Sequence, residues 1–233
     1  MEKLYEGKAK IVYRTEDPDK YLIYFKDEAT AFDATKRSHV EGKGIINNTI
    51  SSILFQLLWE KGIKNHYIQK VSDREMLVWR AERFDVEVVV RNVAAGSITK
   101  RLGIPEGTVF PSPVVEFFYK NDQLRDPLIC EDHILLLNLL PKEDIGKVKE
   151  MALEVNRVLS LFFEEHGIRL VDFKLEFGRL PDGSVGVIDE ISPDTCRLWD
   201  MRTGEKLDKD RFRFDLGDLI EGYRRVLEKL HRG

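Results

Sequence analysis

The chain has 233 residues, 42% hydrophobic and 33% charged, with a formal net charge of −4. This length can bury a substantial core in one large domain or two small ones. The acidic balance argues against a nucleic-acid partner, and no apolar run approaches the roughly 18–20 residues that span a membrane. Residues 1–10 lack the apolar region of a signal peptide, so we expect a cytoplasmic globular protein with no membrane contact.

The N-terminal segment predicts two strands. One runs over Lys3–Tyr13 with an interruption at Gly7, and the other is Tyr21–Phe25. The stretch Gly7–Lys10 would let backbone amides and two ammonium groups lie over the phosphates of a nucleotide. One glycine and two lysines are common, however. On these residues alone a solvated hairpin is the better interpretation.

A polar, irregular segment follows at Asp27–Gly44 and leads to an amphipathic helix predicted at Asn48–Lys61. Asn47 or Asn48 can cap the start of this helix, and Gly62 ends it. Its apolar stripe indicates a packing role. The polar segment supplies four candidate ligand contacts: Asp33, Lys36, Arg37 and Lys43.

Three further strands are predicted at Tyr67–Val71, Met76–Ala81 and Val86–Arg91. An antiparallel sheet over residues 3–91 with the helix against it would make the N-terminal half α+β. We expect the two halves of the chain to meet at Arg80–Phe84. This boundary divides the chain into an N-terminal lobe, residues 1–80, and a C-terminal lobe, residues 81–233.

The strand that ends on Arg91 is followed by a turn of small residues and by Ser97, at the start of a short helix predicted at Ser97–Leu102. Free amides, a hydroxyl and the helix dipole would favour an anion there. The alternative is that Ser97 simply caps the helix while Arg91 makes a surface ion pair. The residues alone favour this alternative.

The segment Pro105–Asp132 is rich in proline and is predicted to be irregular. Two amphipathic helices are predicted after it, at Glu143–His166 and Leu216–Leu230. Cys130 and Cys196 lie far apart without CxxC spacing, which predicts idle thiols; a disulfide stays open only in organisms that keep intracellular disulfides. None of the five histidines lies in a motif for a base or nucleophile, which argues against a hydrolase.

A hairpin is the most informative stretch of the sequence. Val171–Phe177 alternates strictly between apolar and polar residues, Asp182-Gly183 is a turn signal, and Val185–Ile191 is the return strand. A two-residue loop at the turn would place Glu176 opposite Asp189. Opposed carboxylates, about 4.5–5.5 Å apart at Cβ, repel each other, so a divalent cation, Mg²⁺, would neutralise them. Two solvated carboxylates, or a bulge that breaks the register, stay open as alternatives.

A polar loop, Asp189–Asp200, follows the return strand. Its Pro193-Asp194 turn leads to Arg197, whose guanidinium group can hold a phosphate by two parallel hydrogen bonds. The loop therefore indicates a site for a phosphorylated ligand beside the paired carboxylates.

Five motifs occur along the chain in the order of one known family. They are LYEGKAK near the start, VVRNVAAGS in the middle, DFKLEFG and DEISPDTCRLWD around the hairpin, and DKDRFR near the end. With these motifs the chain resembles the SAICAR synthetase family from Leu4 to Arg213. The resemblance implies an ATP-grasp-like α+β fold, mainly antiparallel sheets with packed helices in two lobes, and an active site between the lobes. By fold analogy, adenine would contact backbone groups near Arg80–Phe84.

The resemblance also implies an activity, that of an ATP-dependent ligase of de novo purine biosynthesis. ATP, the carboxylated aminoimidazole ribonucleotide CAIR and L-aspartate give SAICAR, ADP and phosphate through an acyl phosphate, with Mg²⁺ as cofactor. The matching positions assign ATP binding to Lys8, Lys10 and Lys120, metal binding and catalysis to Glu176 and Asp189, and catalysis to Lys174. They assign substrate binding to Arg91, Ser97, Arg197, Asp172, Asp194, Arg213 and Asp33.

Two rival functions stay open at this stage. The first is a small-molecule kinase on a similar scaffold, which would need ATP and one acceptor but no amine. The second is a catalytically silent module that only binds a nucleotide. Four intact residues argue against a silent module, because a module that only binds needs no metal pair: Glu176, Asp189, Lys174 and Lys8. ADP release with and without L-aspartate separates the ligase from the kinase. A homodimer is compatible with the sequence, which does not fix the oligomeric state.

Overall fold

The computed structural model describes residues 2–31 and 36–231, which form thirteen strands and six α-helices. The strands are β1 Lys3–Glu6, β2 Lys10–Arg14, β3 Lys20–Phe25, β4 Glu28–Ala31, β5 Lys36–His39, β6 Tyr67–Lys70, β7 Glu75–Trp79, β8 Glu82–Val93, β9 Val109–Tyr119, β10 Leu128–Ile129, β11 Ile168–Arg179, β12 Val185–Ile188 and β13 Cys196–Asp200. The helices are α1 Lys43–Glu60, α2 Ser97–Leu102, α3 Glu131–Leu136, α4 Lys142–Glu165, α5 Asp210–Arg213 and α6 Leu219–His231.

The first sheet contains five antiparallel strands in the order β1-β2-β3-β7-β6. Side chains two residues apart in a strand point to the same face of the sheet. Ile23 and Phe25 of β3 and Met76 and Val78 of β7 are all buried, so they form the apolar face. Helix α1 packs against β3, β6 and β7 and covers this apolar side. Strands β4 and β5 form a separate two-stranded hairpin.

The second sheet has the order β10-β9-β8-β11-β12, and β13 also pairs with β11. Strand β11 is its centre, and the predicted alternation is confirmed at Phe173, Leu175 and Phe177, which are buried. Helix α4 packs over β8, β9 and β11. The mainly antiparallel α+β class predicted from the sequence is therefore confirmed.

The two sheets are joined by a short parallel bridge and by one core. Asn65 pairs with Val187 of β12, and the His66 N–H donates to the Val187 carbonyl at 2.9 Å. Buried side chains of both sheets belong to one hydrophobic cluster, which includes Met76 and Leu175. The return strand of the hairpin is thus tied to the N-terminal sheet.

Two sequence predictions about the sheets are wrong. The strand predicted at Val86–Arg91 belongs to the second sheet, where β8 pairs with β9 and β11. The segment predicted to be irregular contains the eleven-residue strand β9. The prediction failed because of Pro111 and Pro113, which usually argue against a strand. Both are tolerated here because they lie where the β8–β9 register shifts, and β10 pairs with β9 further along, at Phe117 and Phe118.

Helix α1 begins at Lys43, five residues before the predicted start, and neither asparagine caps it. Asn47 and Asn48 lie inside the helix and are buried. The cap comes from outside the helix, since the Asp27 carboxylate accepts the N–H groups of Gly42 at 3.2 Å and Gly44 at 2.8 Å. The other predicted helices are confirmed to within a few residues of their ends.

The predicted hairpin register is also wrong. Glu176 opposes Ile188, and Arg179 opposes Val185, one residue away from the prediction. The reason is a three-residue loop: the Leu180 N–H donates to the Ser184 carbonyl at 2.8 Å, and Gly183 adopts a φ of 81° that favours glycine. Asp189 therefore lies just beyond β12, with a φ of 71°.

The structure also bears on the predicted idle thiols and on membrane-spanning helices. Cys130 is exposed, Cys196 is buried, and both are free thiols. Burial raises the pKa of the Cys196 thiol well above its usual range, so this thiol is inert. Within residues 2–31 and 36–231, no helix has the length and apolar character needed to cross a membrane.

Candidate active site

A cleft of about 930 Å³ opens beside the first sheet, the centre of the second sheet and the loop after β12. It brings together most of the predicted site residues: Lys8, Lys10, Arg91, Lys120, Asp172, Lys174, Glu176, Asp189, Asp194, Arg197 and Arg213. Ser97 lies beside it through a hydrogen bond with Arg91. Asp33 lies outside the described residues.

At the centre of the cleft, two lysines bridge two carboxylates. Glu176 of β11 is directly opposite Glu87 of β8, so the like-charge pair that the sequence predicted exists with a different partner. Lys174 Nζ donates to Oε1 of both glutamates at 2.9 Å, and Lys120 Nζ donates to the same atoms at 3.1 Å for Glu87 and 2.9 Å for Glu176. We call these four side chains the lysine–glutamate square.

The charges of the square stabilise one another. Burial alone would lower the pKa of Lys174, but Glu176 and Glu87 raise it well above its usual range. Burial would likewise raise the pKa of Glu87, and the two lysines outweigh it and lower that pKa. The pKa of Lys120 is raised for the same reason, because Glu176 and Glu87 outweigh its burial.

A second charged cluster lies at the end of β12. Lys10 of β2 forms ion pairs with Asp189 and, at 2.8 Å, with Glu190. Burial opposes the charge of Lys10, but the two carboxylates raise its pKa. The His66 ring contacts the Asp189 carbonyl oxygen at 3.1 Å, and burial lowers the pKa of His66 to about 4, so this ring is neutral at pH 7.

An arginine pair forms the third cluster. Arg91 Nη1 donates to Asp172 at 2.7 Å and Arg197 Nη1 donates to the same oxygen at 3.0 Å, so one buried carboxylate orients both guanidinium groups. Arg91 Nη2 also donates to Ser97 Oγ at 3.2 Å. Gly96 has a φ of 65°, and a Cβ there would lie 2.5 Å from Arg197, so glycine admits the guanidinium group.

These contacts decide one alternative that the sequence left open. Arg91 is only 3% exposed, so it makes no surface ion pair. Ser97 is the first residue of α2, and the residue in the capping position is Gly96. Arg91, Ser97 and Arg197, which come from two motifs far apart in the sequence, are therefore neighbours in the structure.

A buried network that sequence reasoning missed holds Asp194. Lys43 and Asn47 of α1 donate to Asp194 Oδ2 at 2.5 and 3.0 Å, and Tyr223 of α6 donates to Oδ1 at 2.5 Å. Lys43 and Tyr223 are fully buried. The pKa of Asp194 lies well below its usual range because Lys43 outweighs the effect of burial. Asp194 is thus anchored by protein groups on both oxygens.

Other missed residues had weak signals in the sequence. Glu87 is a charged residue within the valine-rich stretch of β8, a place where a lone charge needs a partner. Glu116 binds Arg91 at 2.7 Å and Asp210 binds Arg197 at 2.9 Å. Nothing in the local sequence around His66 predicts its contact with Asp189.

A large polar cleft that orients lysines and arginines on buried carboxylates is typical of enzymes that act on phosphorylated substrates. Comparisons with known proteins identify the family. The family model described as SAICAR synthetase matches residues 3–230. The phosphoribosylaminoimidazole-succinocarboxamide synthase of Persephonella marina is 63% identical over 99% of this chain and 97% of that protein.

Solved structures agree with the sequence comparison. The crystal structure of the same synthase from Ehrlichia chaffeensis has a TM-score of 0.96 at 50% identity and covers 99% of this chain and 98% of that one. A SAICAR synthetase in complex with ADP has a TM-score of 0.95 at 49% identity, covering 98% and 97%. The chain belongs to the SAICAR synthetase family and is an ATP-dependent ligase of purine biosynthesis.

Proposed function

We propose that the enzyme joins L-aspartate to the carboxylate of CAIR, with ATP, to give SAICAR, ADP and phosphate. The observation that carries this proposal is the convergence of the lysine–glutamate square and the arginine pair in one cleft. A carboxylate is a poor electrophile, so it must become an acyl phosphate before an amine can attack it. The two clusters suit the two ends of this substrate.

The arginine pair holds the ribose phosphate of CAIR. Asp172 orients Arg91 and Arg197 through Nη1, and Glu116 and Asp210 accept from their Nε groups. In this proposal the ligand binds Nη2 of both arginines together with the hydroxyl of Ser97, which already contacts Arg91. A bidentate guanidinium contact suits a phosphate dianion better than an ammonium group does. Binding energy at this end positions the reacting carboxylate at the other. Asp194, Arg213 and Asp33 complete the substrate pocket.

The lysines of the cleft hold the charge that develops on the phosphoryl group. Lys8 and Lys10 serve ATP from the N-terminal strands, and Lys120 and Lys174 lie on the other side of the cleft. Lys8 is half-exposed and forms an ion pair with the exposed Asp122 at 3.1 Å, so it can turn to a phosphate at little cost. Backbone groups near Arg80–Phe84 contact the adenine.

Mg²⁺ fits the donor set of Glu176 and Asp189. Both carboxylates line the cleft. Each also pairs with a lysine, so the ion would need the phosphates of ATP as further ligands. No three His, Cys, Asp or Glu side chains among residues 2–31 and 36–231 form a cage of their own. This suits Mg²⁺, which commonly takes one or two carboxylates and completes its shell with phosphate and water. When bound, the ion supplies positive charge to the phosphoryl oxygens.

The proposal also covers the architecture, the cellular compartment and the assembly of the enzyme. In this proposal the architecture is ATP-grasp-like, with residues 1–80 as a nucleotide-covering lobe and residues 81–233 as the lobe that carries the metal and substrate sites. Two free cysteines are typical of a reducing cytoplasm, where we place the reaction. The proposed assembly is a homodimer, which light scattering tests.

ADP release is the direct test of the function. The purified enzyme should release ADP only when CAIR, L-aspartate and Mg²⁺ are all present, and SAICAR should appear in equal amount. ADP release that continues without L-aspartate would favour the kinase alternative. Nucleotide binding without turnover in the presence of both substrates would refute the ligase.

A further inference from the structure

His66 is a buried residue at the cleft with no role in the proposed reaction. It is 4% exposed, and its ring lies edge-on to the fully buried Phe55 of α1, with the two ring centroids 5.1 Å apart. Its Nε2 lies 3.1 Å from the Asp189 carbonyl oxygen. Because a carbonyl oxygen only accepts hydrogen bonds, Nε2 carries the proton and donates it. The ring therefore directs its N–H at the backbone of Asp189 from a fixed position.

This hydrogen bond replaces a backbone bond that the fold leaves out. The segment before β6 runs parallel to β12: the Val187 N–H donates to the Lys64 carbonyl at 3.0 Å, and the His66 N–H donates to the Val187 carbonyl at 2.9 Å. In a continued parallel ladder, the next bond would link the backbones of His66 and Asp189. The His66 carbonyl instead accepts the Trp79 N–H of β7 at 2.7 Å, because the chain turns into the first sheet. The ring takes the place of the missing backbone bond.

Asp189 needs this support because its backbone conformation is unfavourable. Its φ of 71° lies in the left-handed region, which a residue with a Cβ keeps only where its surroundings hold it. Two groups hold Asp189: Lys10 binds its carboxylate, and His66 binds its carbonyl. In the proposed function Lys10 also serves ATP. The bond from His66 is therefore the contact that does not change when a nucleotide binds.

The bond does more than satisfy a buried ring. Asp189 belongs to the proposed metal pair, and the group that holds its backbone comes from the segment that enters the first sheet, which also carries Lys10. We propose, on the basis of the proposed function, that His66 is a positioning residue that fixes Asp189 through its carbonyl. The bond thereby sets the carboxylate in place beside the lysine that serves ATP. His66 itself touches neither the ion nor a substrate.

Calorimetry with ADP as the probe, in Mg²⁺ and in EDTA, tests this role without turnover. His66→Phe keeps the ring and removes the donor. Groups that orient a metal ligand typically contribute about 10- to 100-fold, so this variant should lose at least about tenfold of the affinity that Mg²⁺ adds to ADP binding. The ADP affinity in EDTA should change by less than about twofold, and the KM for CAIR likewise.

A second pair of variants tests the donor itself. His66→Gln carries an amide N–H about as far from the backbone as Nε2, so it should recover most of the Mg²⁺-dependent affinity. His66→Asn is one methylene shorter and cannot reach Asp189, so it should behave like His66→Phe. This pair gives the same comparison if the phenylalanine variant does not fold. In an Asp189→Asn background, His66→Phe should cause no further loss of Mg²⁺-dependent affinity.

Ser51→Ala is the matched control. The Ser51 hydroxyl donates to the Ile191 carbonyl at 3.0 Å, so it also binds the backbone of the loop after β12, but two residues beyond Asp189. Ser51→Ala and His66→Phe should both lower the melting temperature, because each leaves a backbone carbonyl without its donor. Ser51→Ala should leave the Mg²⁺-dependent gain in ADP affinity unchanged.

The possible failures can be distinguished. If the wild type binds ADP equally well in Mg²⁺ and in EDTA, the proposed metal site is wrong, and this inference falls with it. If Mg²⁺ strengthens ADP binding equally in the wild type and in His66→Phe, His66 does not position Asp189. An equal loss in Mg²⁺ and in EDTA would mean that His66 contacts the nucleotide. A loss of the same size in Ser51→Ala would reduce the effect to the stability of the loop, and either result overturns the assignment.

Discussion

Replacing Asp27 by Asn tests how the start of α1 is stabilised. The carboxylate accepts a hydrogen bond from each terminal nitrogen of Arg74 at 2.7 Å, and it accepts the N–H groups of Gly42 and Gly44 at the helix start. Its side chain is only 7% exposed. Asparagine has nearly the same shape, but it removes the charge and places an amide where an oxygen accepts hydrogen bonds.

The magnitude follows from the pKa of Asp27. Burial would raise this pKa, but Arg74 and the two amides lower it from 3.8 to about 2. A shift of nearly two units corresponds to about 2.5 kcal/mol of stability at pH 7. Because the folded-state pKa is depressed, this stability is present above about pH 4 and is lost as the pH falls towards 2.

Urea unfolding at several pH values measures the effect. At pH 7, Asp27→Asn should lower the free energy of unfolding by about 2–3 kcal/mol, and the difference from the wild type should roughly halve by about pH 3. Glu28→Gln is the control, since Glu28 is 45% exposed and lies 4.0 Å from Lys26; it should cost less than about 0.5 kcal/mol. A loss below about 1 kcal/mol for Asp27→Asn, or a loss independent of pH, would refute the reasoning.

Three other substitutions test the proposed roles. Glu176→Gln should lower kcat about a hundredfold or more with an unchanged circular dichroism spectrum, because one charge of the metal pair and of the lysine–glutamate square is lost; an active variant would contradict both roles. Lys8→Ala should raise the KM for ATP about fivefold and leave that for CAIR unchanged, since an exposed ion is worth about 1 kcal/mol; the opposite pattern would reverse the lobe assignment. Arg197→Lys should weaken CAIR about tenfold, and its dephosphorylated nucleoside much less. Equal losses would show that Arg197 does not anchor the phosphate.

Periodicity predicted the elements that are set by the burial of one face. The stripe of α4 and the alternation of β11 both satisfy a local rule, so each is visible in a short window of sequence. The same alternation placed Asp172, Lys174 and Glu176 together on the polar face of β11, and all three line the cleft. The site could be located from the sequence to this extent.

The remaining errors come from distant partners. Asp27 caps a helix that begins more than a dozen residues later, so asparagines nearer the helix were the better local candidates. One extra loop residue, Pro181, shifted the hairpin register. The partner of Glu176 became Glu87, on a strand assigned to the wrong sheet. Like-charge repulsion correctly predicted that a counter-charge was needed, but it could not predict that lysines from β11 and the segment after β9 supply it.

The bond from Tyr223 to Asp194 connects the C-terminal helix to the proposed substrate pocket, although none of the residues of this helix lines the cleft. Shortening the chain from its C-terminal end would remove the donor to Asp194 Oδ1 and leave a buried carboxylate oxygen unsatisfied. The loop that carries Asp194, which leads into β13 and Arg197, would lose one of its supports. Loss of α6 should therefore reduce substrate binding before the two sheets unfold, so Tyr223 supports the cleft without lining it.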